Sequence, residues 1–233
     1  MSKYGELFLE MLSAERGASG NTVEAYGRDM EDFAHFLLPK NETVDSADSV
    51  QIKHYLSNLA DRKIGAATAA RRLSTLRQFY GFLYTEGLRG DNPATSIESP
   101  RTARPLPKTL SIEDVDSLLS TAKADDSPDG IRLLCLLEIL YATGLRVSEL
   151  VQLPFVAVAR DQEFMIVLGK GNKERLVPLS EPARDIIQEY KNVRPHFLGK
   201  TPKSAYLFPS SSKEGHLTRQ RMGQLLKELA LAS

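Results

Sequence analysis

Cysteine is nearly missing from this chain. Cys135 is the only one among 233 residues, so no disulfide can form within the chain, and a reducing cytoplasm is the expected setting. Cys135 itself sits in an apolar run and reads as a small buried hydrophobe. Long hydrophobic runs are missing too. The most apolar stretch, residues 133–142, is interrupted by Glu138 and is too short to span a bilayer, so no membrane insertion is expected. The opening MSKYGELFLEML lacks a basic stretch followed by a long apolar one, and no secretory leader is expected. Net charge is absent as well, with 30 basic residues balancing 30 acidic ones. A nucleic-acid-binding chain usually carries a basic excess. A DNA-binding face would therefore need local segregation of charge, with the acids gathered on the opposite surface.

What is present is helical periodicity. Leu7, Phe8, Met11 and Leu12 recur at helix spacing. Thr22 opens a second pattern through Tyr26, Met30, Phe33, Phe36 and Leu37. A third covers residues 49–61 with Ile52, Tyr55, Leu56 and Leu59, and a fourth covers 66–86 with Leu73, Leu76, Phe79, Tyr80 and Leu83 before Gly87 stops it. Four helices with short connections predict an all-α domain over residues 1–89. Prolines then crowd together at Pro93, Pro100, Pro105 and Pro107. Proline favours extended chain and removes helix donors, so residues 90–108 read as an interdomain linker.

A second domain is predicted over residues 109–233. Ser111 and Asp114 form a capping-box-like helix start. An apolar helix follows over 130–141. Two strands, 164–168 and 174–179, flank Gly169-Lys170-Gly171-Asn172-Lys173 and predict a β-hairpin with a basic tip. Helices are expected over 181–192 and about 218–230. Tyr141 and Tyr190 fall on apolar helix faces and read as core. The fold class is mainly α, with an α+β second domain holding one small hairpin.

Two positions carry chemistry. Arg146 lies in a turn between helices, three residues before Glu149. It reads equally as a structural ion-pair partner of Glu149 or as an anion clamp, because a guanidinium fork fits two phosphate oxygens. Lys170 sits between two glycines at the hairpin tip, with Lys173 and Arg175 following. For an isolated hairpin it would be a solvated turn lysine. Its glycine neighbours also let backbone approach a ligand closely, which suits a group that protonates a leaving oxygen.

The segment Ala142-Thr-Gly-Leu-Arg-Val-Ser-Glu-Leu150, with the later Gly169-Lys-Gly-Asn-Lys-Glu-Arg-Leu-Val-Pro-Leu179, resembles the tyrosine recombinase (phage-integrase) family. Within it the Xer subfamily is the nearest likeness, its XerD branch first and its XerC branch next. The resemblance covers essentially the whole chain. It implies a SAM-like, four-helix core-binding domain followed by the family's catalytic domain. It also implies attack by a tyrosine on a backbone phosphodiester, giving a 3′-phosphotyrosine, with no metal or nucleotide cofactor. Positioned cations would stabilise the phosphate charge that builds up in the transition state. Arg146 matches the family's first arginine. Lys170 matches its hairpin lysine, the general acid, and Glu149 its supporting acid. The family further calls for a His-x-x-Arg motif and a C-terminal nucleophilic tyrosine. Both are expected to be absent here, so the catalytic domain is expected to be incomplete and the chain to bind DNA without cleaving it.

DNA contacts are expected from Asn21, Thr22, Tyr26 and Arg28 on the second helix, and from Thr68, Arg71, Arg72, Ser74, Thr75 and Arg77 on the fourth. Lys173 and Arg175 of the hairpin, and Thr218, Arg219, Gln220 and Arg221 at the last helix start, complete the set. The implied partners are duplex DNA with a dif-like site, a sister Xer recombinase in a heterotetramer, and the FtsK translocase. Two alternatives stay open on residues alone: a non-catalytic DNA-binding regulator, and a helical interaction module that binds no DNA.

Overall fold

The computed structural model describes residues 2–100, 109–159, 163–169, 173–199 and 203–233. The chain divides into two compact units, Met1–Leu106 and Pro107–Ser233.

The first unit is all helical: α1 (Lys3–Ala14), α2 (Gly20–Leu37), α3 (Ser49–Asp61) and α4 (Ala66–Thr85). Three starts are fixed by side chains that accept otherwise orphaned N–H groups. The Ser2 hydroxyl accepts from Gly5 and the Ser19 hydroxyl from Thr22, while Asp48 and Gln51 close a reciprocal capping box. The apolar positions read from the sequence converge. Phe8, Phe33, Tyr55, Leu73, Phe79 and Tyr80 are fully buried in one core. Each such large side chain contributes about 1.5–3 kcal/mol by leaving water. The stretch expected to start a linker at residue 90 is in fact anchored here. Ala94 and Ile97 belong to the same core, and Arg77 donates to both of their carbonyls. Proline spacing said nothing of these two buried side chains. Residues 101–108 lie outside the described residues.

The second unit contains α5 (Ile112–Lys123), α6 (Pro128–Thr143), α7 (Val147–Val151), β1 (Phe164–Leu168), β2 (Glu174–Pro178), α8 (Glu181–Val193) and α9 (Arg219–Ala232). Helix α6 is its spine. Cys135, Leu136 and Ile139 are fully buried, and α6 packs against α8 and α5. Burial pushes the Cys135 thiol well above its ordinary value, as befits an inert core residue. The expected Ser111–Asp114 box is formed from both sides. Strands β1 and β2 pair antiparallel, with Phe164 opposite Pro178 and Leu168 opposite Glu174. Met165, Val167 and Val177 face the core, while Phe164, Ile166, Leu168 and Leu176 face outward. Tyr190 is buried as expected. Tyr141 is not: it is 56% exposed, because it lies on the last turn of α6, on the side turned away from the core. Among the described residues no helix is long and apolar enough to cross a membrane.

Candidate active site

Helix α6 ends at Gly144, whose φ of 60° is the left-handed conformation that caps a helix and redirects the chain. Two residues later Arg146 stands immediately before the short helix α7, with its side chain 67% exposed. Glu149 reaches back from the first turn of α7. Its Oε2 accepts from the Arg146 backbone N–H at 2.8 Å, and its Oε1 accepts from Arg146 Nη1 at 3.0 Å. The remaining guanidinium N–H groups of Arg146 make no hydrogen bond among the described residues. The guanidinium is thus tied to Glu149 on one edge and presents the other to solvent.

Arg175 joins the same carboxylate from β2. Its Nη1 and Nη2 donate to Glu149 Oε1 and Oε2 at 3.2 and 2.8 Å. Arg175, expected as a DNA contact, has its fork engaged by Glu149 and its side chain 38% exposed. The Glu149 side chain is only 9% exposed and accepts four hydrogen bonds. Arg175 foremost, then the N–H and guanidinium of Arg146, hold its carboxyl at about 2 against the opposing effect of burial. Lys173 is exposed beside the turn. Lys170, the matched hairpin lysine, lies outside the described residues.

The helical candidates divide into two groups. Asn21, Arg28, Ser74 and Arg71 are exposed, and Thr22, Tyr26 and Thr68 are half-buried. Arg28 pairs with Glu24 one turn away, and the Tyr26 hydroxyl accepts from Gln78. Three of the expected contacts are engaged within the first unit. Thr75 is fully buried and donates to Asp29 Oδ2 at 2.8 Å. The Arg72 side chain is 15% exposed and pairs with Asp32. Arg77 fastens residues 94–99 through Ala94, Ile97 and the Ser99 hydroxyl. The helix places these side chains on its inner flank, which the count of polar residues in α4 could not reveal.

The acids that collect these arginines were missed by the sequence reading. Asp29 is 3% exposed and takes Arg71 and Thr75; Asp32 takes Arg62, Arg72 and the Tyr55 hydroxyl. Burial pushes Asp32 up, but Arg62, Tyr55 and Arg72 outweigh it, and its carboxyl lies below the ordinary range. The available signal was two acids three apart on an otherwise apolar helix face.

At the last helix, Thr218 caps α9 by accepting from the Arg221 N–H, and Arg219, Gln220 and Arg221 are exposed. The expected absence of a His-x-x-Arg sequence needs correction, because His216-Leu217-Thr218-Arg219 has that spelling. The His216 ring is 4% exposed, packs edge-on against Tyr206, and has Nδ1 2.8 Å from the Leu217 carbonyl. It holds the turn before α9 and is turned inward, unlike an imidazole that meets a phosphate. Three tyrosines are also engaged internally. Tyr55, Tyr80 and Tyr190 are fully buried and donate to Asp32, Val44 and Leu207. Burial raises all three phenols above their ordinary value, which opposes nucleophilic use. Among the described residues no His, Cys, Asp or Glu group is arranged to hold a metal.

Residues 6–87 match the phage integrase N-terminal SAM-like domain, and residues 108–233 match the phage integrase family. The chain belongs to the phage integrase family of tyrosine recombinases. Relatives within the family agree. Tyrosine recombinase XerD of Caulobacter vibrioides is 46% identical over 231 residues, covering 99% of this chain and 76% of that protein. XerD of Rhizobium meliloti is 48% identical over 233 residues, covering 97% and 74%. The likeness to XerD thus runs through both units. Among solved structures, XerH bound to a palindromic difH substrate shares the fold at TM-score 0.71 and 17% identity, covering 98% of this chain and 68% of that one. A lambda integrase tetramer bound to a Holliday junction does so at 0.71 and 15%, covering 98% and 65%. As a tyrosine recombinase by family, the chain has site-specific DNA recombination as its reaction class.

Proposed function

We propose that this chain is the DNA-binding part and a partial catalytic site of an XerD-type recombinase, acting at a dif-type site. The observation that carries this reading is Arg146, held on one edge by Glu149 and open on the other. A guanidinium fixed in this way meets a backbone phosphate with little further ordering, and it stabilises charge that grows on the phosphate oxygens. Lys170, next to Gly169 at the end of β1, is the general acid that returns a proton to the leaving 5′-oxygen. In the first unit, Asn21, Thr22, Tyr26, Arg28, Thr68, Arg71 and Ser74 contact the duplex from α2 and α4. Thr218, Arg219, Gln220 and Arg221 do so from α9, with Lys173 at the hairpin. The partners are a sister recombinase of XerC type in a tetramer on DNA and the FtsK translocase.

These 233 residues bind DNA without cutting it. No tyrosine present matches the family's C-terminal nucleophile, three are buried with their hydroxyls engaged, and His216 faces inward. The test is incubation with a palindromic site duplex nicked beside the scissile phosphate, followed by denaturing electrophoresis. Retarded native complexes with no covalent adduct support the reading. An adduct overturns the non-cleaving part, and the absence of any native complex with palindromic or scrambled duplex overturns DNA binding.

A further inference from the structure

The base of the hairpin and the phosphate-facing arginine are joined through a single carboxylate. Glu149 receives two hydrogen bonds from Arg146 on the α6–α7 turn and two from Arg175 on β2. Each of its oxygens serves both arginines. The approach of Arg175 depends on a neighbour. A Cβ at Gly169 would stand 2.8 Å from Arg175 Nη1, so a side chain there would crowd the end of the guanidinium. Gly169 also starts the turn, donating its N–H to the Lys173 carbonyl at 2.8 Å, and Lys170 follows it directly in the sequence. Glycine at 169 is thus tied to the passage of Arg175 beneath the turn as well as to the turn itself.

We propose that Arg175 is a positioning residue whose fork on Glu149 fastens the hairpin base, at Gly169 and Lys173, to Arg146 and holds the Arg146 guanidinium toward the phosphate. The inference rests on the reading of Arg146 as a phosphate clamp. Neither element is stiff alone. A two-stranded ribbon of five-residue strands is marginal without added packing, and α7 is a five-residue helix. Leu150 and Val151 of α7 share one apolar core with Met165, Val167 and Val177 of the hairpin, and Arg175 adds a polar cross-link beside Arg146. It also keeps half of the accepting capacity of Glu149 occupied. Without that fork, Arg146 is free to swing onto both carboxylate oxygens and withdraw from solvent. Lysine cannot replace it, because an ammonium presents no planar pair of donors to a carboxylate.

The test is salt-dependent binding of a fluorescent palindromic recombination-site duplex by the whole chain, by Arg175→Lys, by Arg146→Ala and by the double variant. Arg175→Lys keeps the positive charge, so a direct charge contact with DNA would survive it. The expected result is a roughly tenfold loss of affinity in each single variant. The slope of log K against log salt should become shallower by about 0.9, the value of one phosphate, in both, with no further change in the double variant. A general loss of stability would lower affinity without that matched change in slope. Gly169→Ala provides a second route, since its Cβ crowds Arg175 Nη1 without altering charge, and it should move affinity and slope in the same direction as Arg175→Lys. Wild-type affinity and slope in Arg175→Lys and Gly169→Ala, or losses that add to those of Arg146→Ala, overturn the proposal. If the unmodified chain shows no salt-dependent binding, the reading of Arg146 fails first and takes this inference with it.

Discussion

Glu149 folds back onto Arg146 at two points, the backbone N–H at 2.8 Å and Nη1 at 3.0 Å. The first bond sets where α7 begins, and the second sets which edge of the guanidinium faces out. Replacing the carboxylate by an amide removes charge assistance from both arginines that meet there. Glu149→Gln is therefore expected to lower unfolding free energy by about 2 kcal/mol, read as a shift in the urea midpoint.

The same carboxylate gives a pH dependence whose sign is fixed. Glu149 titrates at about 2 in the fold, against an ordinary value of 4.5. A group depressed by folding adds stability above its unfolded value, and that stability is lost as pH falls through the folded value. The difference in urea midpoint between the unmodified chain and Glu149→Gln should be constant above about pH 5.5 and shrink between about 4.5 and 2. A gap that widens on acidification contradicts the assignment.

Arg71 and Thr75 lie one turn apart on the same face of α4 and both donate to Asp29, yet they differ in exposure. Arg71 is 44% exposed despite its pairing with Asp29, whereas Thr75 on the following turn is fully buried. Arg71→Ala is expected to weaken binding of a site duplex by about 1–3 kcal/mol if it reaches a base edge. Thr75→Val keeps the shape but leaves Asp29 one hydrogen bond short, and should cost about 1–2 kcal/mol of stability with affinity unchanged. Fluorescence anisotropy and urea denaturation of both variants check the pair.

Arg77 supplies a control for that comparison. Its donors hold the Ala94 and Ile97 carbonyls and the Ser99 hydroxyl, so its removal releases chain and leaves the DNA face intact. Arg77→Ala should speed proteolytic cutting near residues 94–99 while leaving the salt slope of DNA binding as it was. A shallower slope would return Arg77 to the interface.

Most of the fold was legible because its signals are local. Helix α3 was read to its observed ends, Ser49–Asp61, since Ile52, Tyr55 and Leu59 mark one face. The hairpin followed from two short runs flanking a glycine-bearing turn, and β2 ends one residue before the expected Leu179. The failures concern direction and not existence. Tyr141 has the spacing of a core residue but sits on the last turn of α6, beyond the packing of its neighbours. Thr75, Arg72 and Arg77 look like a basic, hydroxyl-rich face until Asp29, Asp32 and the Ala94–Ile97 carbonyls draw them inward. Partners seventeen to forty-six positions away leave no periodic trace in the sequence. The pairing of Glu149 with Arg146 was visible because only three residues separate them, while its pairing with Arg175 required the hairpin to fold back.

With a net charge of zero, binding to backbone phosphates has to come from locally gathered cations such as Arg146. The most direct measurement is the affinity of the chain for a palindromic recombination-site duplex across a salt series. The account predicts a linear fall of log K with log salt, with a slope of several units, each phosphate contact adding about 0.9. Arg146→Ala should make that slope shallower by one such step. Affinity that does not change with salt would contradict the account.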